Sequence, residues 1–159
     1  YGKTFVEDII SLGQPDWHTN PWPRLDPLDR KILDYMLHPI KLVDKSILLA
    51  GLGFKPSDQP YIMSAHHQAA DKLGKGFKVA ATSLDGKVVE AVEHLKFPNV
   101  LGVQFHPEFP MLWEAEPKYK FTPQDKDLIG IRTYLEAHPP SVEFHKKLWA
   151  WFFDKVIKH

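Results

Sequence analysis

Three short runs rich in valine, alanine and phenylalanine, residues 77–83, 88–93 and 100–105, follow one another closely. They read as strands, and what lies between them sets how they can pair. Asp85-Gly86 separates the first two. A tight turn there needs positive φ, which glycine adopts at no steric cost, so these two runs are expected to form an antiparallel hairpin. Phe97-Pro98-Asn99 makes the turn into the third run.

The pattern on either side is mixed. Residues 1–10 alternate and end in an apolar pair, which suits a helix running into a strand or loop. Residues 14–27 interleave Pro15, Pro21, Pro23 and Pro27 with Trp17 and Trp22. So many fixed φ angles and missing donors predict an irregular loop whose tryptophans pack onto the body or line a cleft. The spacing of Ile32, Leu33, Met36 and Leu37 predicts a helix over 29–37. Residues 38–43 alternate as a strand. Ser46 is placed to cap a short helix through Ala50, ended by Gly51 and Gly53. Residues 61–63 read as a strand delivering Ser64, His66, His67 and Gln68 at its end, followed by a short helix to Leu73 that stops at Gly74. Residues 111–140 are polar and aromatic, with a helix expected over 125–135. Ser141 is expected to cap a closing helix, 141–158, whose Phe144, Leu148, Trp151, Phe152 and Val156 form an apolar stripe.

Composition narrows the function classes. The apolar share of 43% and aromatic share of 13% suit a folded domain. Lysine plus arginine equals aspartate plus glutamate at 20 each, so no net field points to nucleic acid. The apolar stretch around residues 47–54 is broken by two glycines and is too short to span a bilayer, and no secretory leader pattern opens the chain. No nucleic-acid or membrane partner is therefore expected, and the compartment is expected to be the cytoplasm. The chain has no cysteine, which excludes disulfides and cysteine metal sites within it.

Two clusters carry chemistry. In Gly102-Val103-Gln104-Phe105-His106-Pro107-Glu108, a strand ends in a histidine, a proline turns the chain, and a carboxylate follows two residues on. That spacing lets Glu108 reach one imidazole nitrogen while the other faces a cleft, as a base for a thiol or hydroxyl requires. Three residues alone do not separate this from an ordinary His-Pro turn with an exposed glutamate. In Ser64-Ala65-His66-His67-Gln68, adjacent donors and acceptors suit a grip on a polar substrate end. A metal there is disfavoured, because neighbouring strand residues point to opposite faces and no third ligand lies at a usual spacing. His18, His38, His94, His138, His145 and His159 are scattered and read as surface or structural residues.

At this point the sequence resembles a family. Ser64-Ala65-His66-His67-Gln68-Ala69, then Leu73-Gly74-Lys75-Gly76-Phe77-Lys78-Val79, the hairpin over 83–93 and the run from Gly102 to Glu108 are together similar to the second half of class I glutamine amidotransferases, in the gamma-glutamyl hydrolase-like peptidase branch. Residues 38–48 extend the likeness, and Gly2, Thr4 and Asp8-Ile9 are similar to the segment after the family's nucleophile helix.

The resemblance implies an α/β, flavodoxin-like three-layer sandwich, of which residues 1–159 would be the C-terminal part. It implies a Cys-His-Glu triad with His106 and Glu108 as its catalytic members here, a substrate-binding role for Ser64, His66, His67 and Gln68, and neither metal nor other cofactor. The cysteine and the oxyanion-hole amides would come from an N-terminal half, the first partner expected. A gamma-glutamyl or glutamine small molecule would be the substrate, and homo-oligomerisation is left open. The chain alone is expected to lack amidase activity and to be poorly stable. Residues 109–140 depart from the family's short connection and are expected to form a cap or subunit contact beside the site. The leading reading is a gamma-glutamyl or glutamine amide hydrolase. The alternatives are the glutaminase part of an amidotransferase and a non-catalytic binding protein that keeps the fold.

Overall fold

The computed structural model describes residues 5–6, 18, 20 and 28–157, with side chains from 18 onward among these to residue 155. The readings of residues 1–10 as a helix end and of 14–27 as a tryptophan-bearing loop, and the place of Val156 in the closing stripe, lie outside the described residues.

Among the described residues seven strands are present: β1 (Phe5–Val6), β2 (Met36–Leu42), β3 (Tyr61–Ser64), β4 (Ala69–Ala70), β5 (Phe77–Ser83), β6 (Val89–His94) and β7 (Leu101–Val103). Five of them form one sheet in the order β3-β2-β5-β6-β7, antiparallel throughout, and β1 pairs with β4 separately. The expected hairpin is β5–β6. Gly86 takes φ 79° at its turn, and Asp85 accepts from the Ser83 hydroxyl at 2.7 Å. The Leu-Gly-Lys-Gly run also has a steric cause. Gly76 has φ 91°, and a Cβ there would stand 2.6 Å from the His94 ring.

Alternation along β2 and β3 sorts two cores. Ile40, Leu42 and Ile62 join Leu48, Phe54, Ala80, Ala81, Ala91, Phe105, Phe144 and Leu148 in the larger one. Leu37 and Met63 join Leu33, Leu112, Ile131 and Leu135 in the second. Each fully buried Leu, Ile or Phe side chain contributes about 1.5–3 kcal/mol relative to exposure, so neither core is incidental. The closing helix (Ser141–Phe152), α2, follows a shorter α1 (Ile131–Glu136). It seats Phe144 and Leu148 on the sheet, while Phe152 is 37% exposed and turns partly away. The segment 109–140 supplies much of the second core through a 3-10 turn (Pro110–Trp113) and α1.

Four local expectations fail, each for a tertiary reason. Residues 29–37 are not a helix. Leu33 N donates to Lys120 O at 2.8 Å, and Ile32 bridges Lys120. A helix of nine residues is marginal alone, and these bonds satisfy the same groups across the fold. The helix expected up to Leu73 is absent, because Ala69–Ala70 pairs with β1. Ser141 is the first residue of α2 and not its cap; its hydroxyl donates to His138 O and accepts from Tyr61 N, tying the helix to β3. The helix expected over 125–135 begins only at Ile131, since Asp125 accepts from the Phe121 and Thr122 amides and closes a turn. The Ser46 cap forms as expected, accepting from Leu49 N at 3.1 Å. Among the described residues no helix is long and apolar enough to cross a membrane.

Candidate active site

β7 leads directly to the histidine. After Val103 the chain is held against the sheet by Gln104 N, which donates to Glu90 O at 2.9 Å, and by His106 N, which donates to Met63 O at 2.8 Å. Proline then turns the chain, and the Trp149 indole N–H from α2 donates to Pro107 O at 3.0 Å. The turn is thus gripped by the sheet on one side and the closing helix on the other.

On this turn His106 Nδ1 lies 2.8 Å from Glu108 Oε1. Partial burial pushes the Glu108 carboxyl up, but the His106 contact outweighs it and leaves it below the ordinary range. Glu108 is therefore ionised at neutral pH and favours the tautomer with hydrogen on Nδ1. Nε2, the nitrogen a nucleophile would meet, has no hydrogen-bond partner among the described residues. The imidazole is 35% exposed and the Glu108 side chain 54%, so the pair faces outward. Phe109 stacks on the ring with centroids 4.6 Å apart, and Tyr35 packs on Phe109 at 4.5 Å. These two aromatics restrict the imidazole's rotation. Sequence reasoning placed Phe109 only at the start of an insertion and Tyr35 inside a helix; the one available signal was an aromatic directly after the His-Pro-Glu turn.

The second cluster divides. His67 and Gln68 are exposed. Ser64 is fully buried, with its hydroxyl 2.9 Å from His38 Nε2. His66 turns inward, with Nδ1 2.8 Å from Gln68 O and Nε2 3.6 Å from Glu90 Oε2. The Gln104 side chain bridges this loop to the strand before His106, contacting both Gln68 O and His66 Nδ1. Thus the structure joins the two clusters through Gln104 but brings only the exposed half of the second toward solvent.

Behind them lies a group that the sequence left scattered. His18, His38, His66 and Glu90 each present a ligand-type atom within 4.8 Å of the others. Their positions span 72 residues from His18 to Glu90, so no spacing rule could have assembled them. His38 and His18, read as surface or structural residues, are buried.

Comparison with known proteins fits this geometry. The family model described as Peptidase C26 matches residues 2–108, ending on Glu108 itself. A protein of Rickettsia prowazekii named as glutamine amidotransferase-like is 47% identical over 51 residues, 32% of this chain and 18% of its own length. A protein of Mycobacterium tuberculosis named as a glutamine amidotransferase is 51% identical over 43 residues, covering 27% of this chain and 14% of the relative. A CTP synthase of Nostoc punctiforme is 30% identical over 105 residues, covering 57% of this chain and 18% of the synthase. The matched segments therefore span less than a fifth of these relatives. Because the match runs through the hairpin, β7 and the whole His-Pro-Glu turn, the chain belongs to the Peptidase C26 family and carries its class I glutamine amidotransferase-like α/β fold.

Proposed function

We propose that this chain supplies the base of a cysteine-dependent hydrolase acting on gamma-glutamyl or glutamine side-chain amides, with the nucleophilic cysteine contributed by residues outside it. One observation carries the reading: His106 Nδ1 is held 2.8 Å from Glu108 on a turn gripped by sheet and helix, with Nε2 unpartnered among the described residues and the imidazole 35% exposed. In this scheme Nε2 takes the thiol proton, and the thiolate attacks the amide carbonyl. His106 then returns the proton to the departing nitrogen, leaving a gamma-glutamyl thioester. Water, deprotonated by the same imidazole, hydrolyses it. Glu108 holds the tautomer and balances the imidazolium. His67 and Gln68 contact the substrate, while Ser64 and His66 act from beneath. The segment 109–140 is a cap, since its first residue already stacks on His106. The test is His106→Ala in the intact protein, which should abolish hydrolysis of a gamma-glutamyl anilide. Undiminished turnover would sink the proposal.

The CTP synthase likeness favours keeping a second reading, in which glutamine is hydrolysed and the ammonia is passed to a synthase. Glutamine hydrolysis that rises only when an ammonia acceptor or synthase partner is added would select it. An alanine, glycine or serine at the nucleophile position would instead support a non-catalytic binding protein.

A further inference from the structure

The most unusual buried group lies outside the proposed catalytic pair. Glu90 is 0% exposed and His18 is 1% exposed. An ionised carboxylate in such a place costs several kcal/mol unless a positive charge meets it with good geometry. Two imidazoles, those of His18 and His66, face the Glu90 carboxylate. The contacts are close but badly aimed for hydrogen bonds. His18 Nδ1 stands 3.0 Å from Glu90 Oε1 and His66 Nε2 3.6 Å from Oε2. Even so, His18 Nδ1, His66 Nε2 and both Glu90 oxygens lack a directed hydrogen bond. The ligand-type atoms of His18, His38, His66 and Glu90 all lie within 4.8 Å of one another.

The outer contacts have the matching form. His38 has Nδ1 3.3 Å from Pro39 O and turns Nε2 inward; His66 has Nδ1 at Gln68 O and turns Nε2 inward. Metal-binding histidines are commonly held this way, one nitrogen on a backbone carbonyl and the other on the ion. His18 is brought in by its own carbonyl, which accepts from His66 N at 2.9 Å.

We infer that His18, His38, His66 and Glu90 form a closed, four-ligand site for a divalent transition metal, with zinc the best chemical match. Three imidazoles and one carboxylate suit zinc rather than magnesium or calcium, which prefer oxygen ligands. Four protein ligands leave no open position, which marks a structural site. Tetrahedral ligands around zinc lie roughly 3.4 Å apart, so atoms now within 4.8 Å need contract by about an ångström. Ser64 would then lose its contact with His38 Nε2 to the ion. The site would clamp the loop from Ser64 to Gln68 onto β6, and through Gln104 would steady the strand that ends in His106. The sequence argument against a metal looked for ligands along one strand; the fold draws them from four segments.

The experiment uses the full-length protein, stripped with a chelator, loaded with zinc chloride and desalted. One zinc per chain is expected, and cobalt(II) in its place should give the intense visible absorption of a four-coordinate site. Zinc should be lost from Glu90→Gln and His38→Asn but retained by His106→Ala. That last variant separates this site from the proposed catalytic pair, so failure of the hydrolase reading leaves the metal result standing. Zinc should also raise the melting midpoint of the wild type and not of Glu90→Gln. Should either ligand variant fail to fold, the wild-type zinc count and cobalt spectrum decide. A wild type that retains no zinc, or a folded Glu90→Gln that retains it undiminished, would overturn the inference in favour of a water-bridged polar network.

Discussion

Two histidine–glutamate pairs in this chain have almost the same separation and opposite surroundings. His106 and Glu108 are 2.8 Å apart on an exposed turn; His18 and Glu90 are 3.0 Å apart with both side chains buried. In the first pair, water screens the charges and the contact contributes little to stability, about 0–1 kcal/mol. Its worth lies in presenting one nitrogen outward in a defined tautomer. In the second, burial removes the screening, so the same two side chains become a large liability unless other groups or an ion complete them. Distance alone therefore says little about what an ion pair does; exposure decides whether it serves chemistry or architecture.

The sharpest way to break this contrast is to remove each imidazole or carboxylate in turn and measure turnover and stability together. His106→Ala should lower kcat by a thousandfold or more, about 4 kcal/mol of barrier, while its melting midpoint stays near wild type. Glu108→Gln should cost less in kcat, because orientation and charge are lost but the base remains. Both are to be measured by anilide hydrolysis beside a thermal melt. A strong destabilisation by either would show that the exposed pair is architectural after all.

Glu90→Ala should do the reverse, costing about 3–5 kcal/mol in unfolding free energy, because it leaves the buried polar atoms of His18 and His66 facing a void where the carboxylate stood. Chemical denaturation of the intact protein reads this directly. A loss below about 1 kcal/mol would mean that the buried pair is as dispensable to folding as a surface one.

His145 offers a third environment, buried and, among the described residues, without a carboxylate partner. Burial lowers its imidazole from 6.5 to about 4, with Tyr61 O at 3.2 Å in support. The unfolded chain therefore binds the proton that the folded chain refuses. The stability this group contributes is fully present above pH 6.5 and is lost as pH falls from there toward 4. The loss should reach roughly 3 kcal/mol, with His145→Gln showing a flatter profile over the same window. Equal pH slopes for the two proteins would contradict the assignment.

The smallest effect should come from Phe109→Ala. Losing the ring stacked on His106 should reduce kcat about tenfold through a looser imidazole, an order-of-magnitude expectation for positioning effects. KM for the anilide should change less than kcat, and the melting midpoint should fall only slightly, because Phe109 is only partly buried against the second core. A change in KM alone would mark it as a wall of the substrate cleft instead.

Much of this could be read from the chain before any coordinates. The Asp85-Gly86 hairpin, the Ser46 cap and the His106–Glu108 contact all depend on residues within a few positions of one another. Local sterics and reach suffice for such features, which is why the proposed catalytic pair was legible at a spacing of two. The helices expected at 29–37 and up to Leu73 depended on the same local logic and were overridden. Leu33 found Lys120 O, and Ala69–Ala70 found β1. Backbone groups in these short segments gain as much from a distant strand or loop as from a helical turn, so periodicity could not arbitrate.

What the sequence determined by itself, then, is the antiparallel hairpin unit, the His-Pro-Glu turn at the end of its last strand, and the absence of any cysteine. The tertiary structure alone decided that Ser64 and His66 face inward, that Phe109 and Tyr35 brace the imidazole, and that His18, His38, His66 and Glu90 meet. The physical reason is range. Turn sterics and a two-residue side-chain reach act through covalent neighbours, whereas burial and the convergence of four remote side chains exist only once the sheet and its connections have packed.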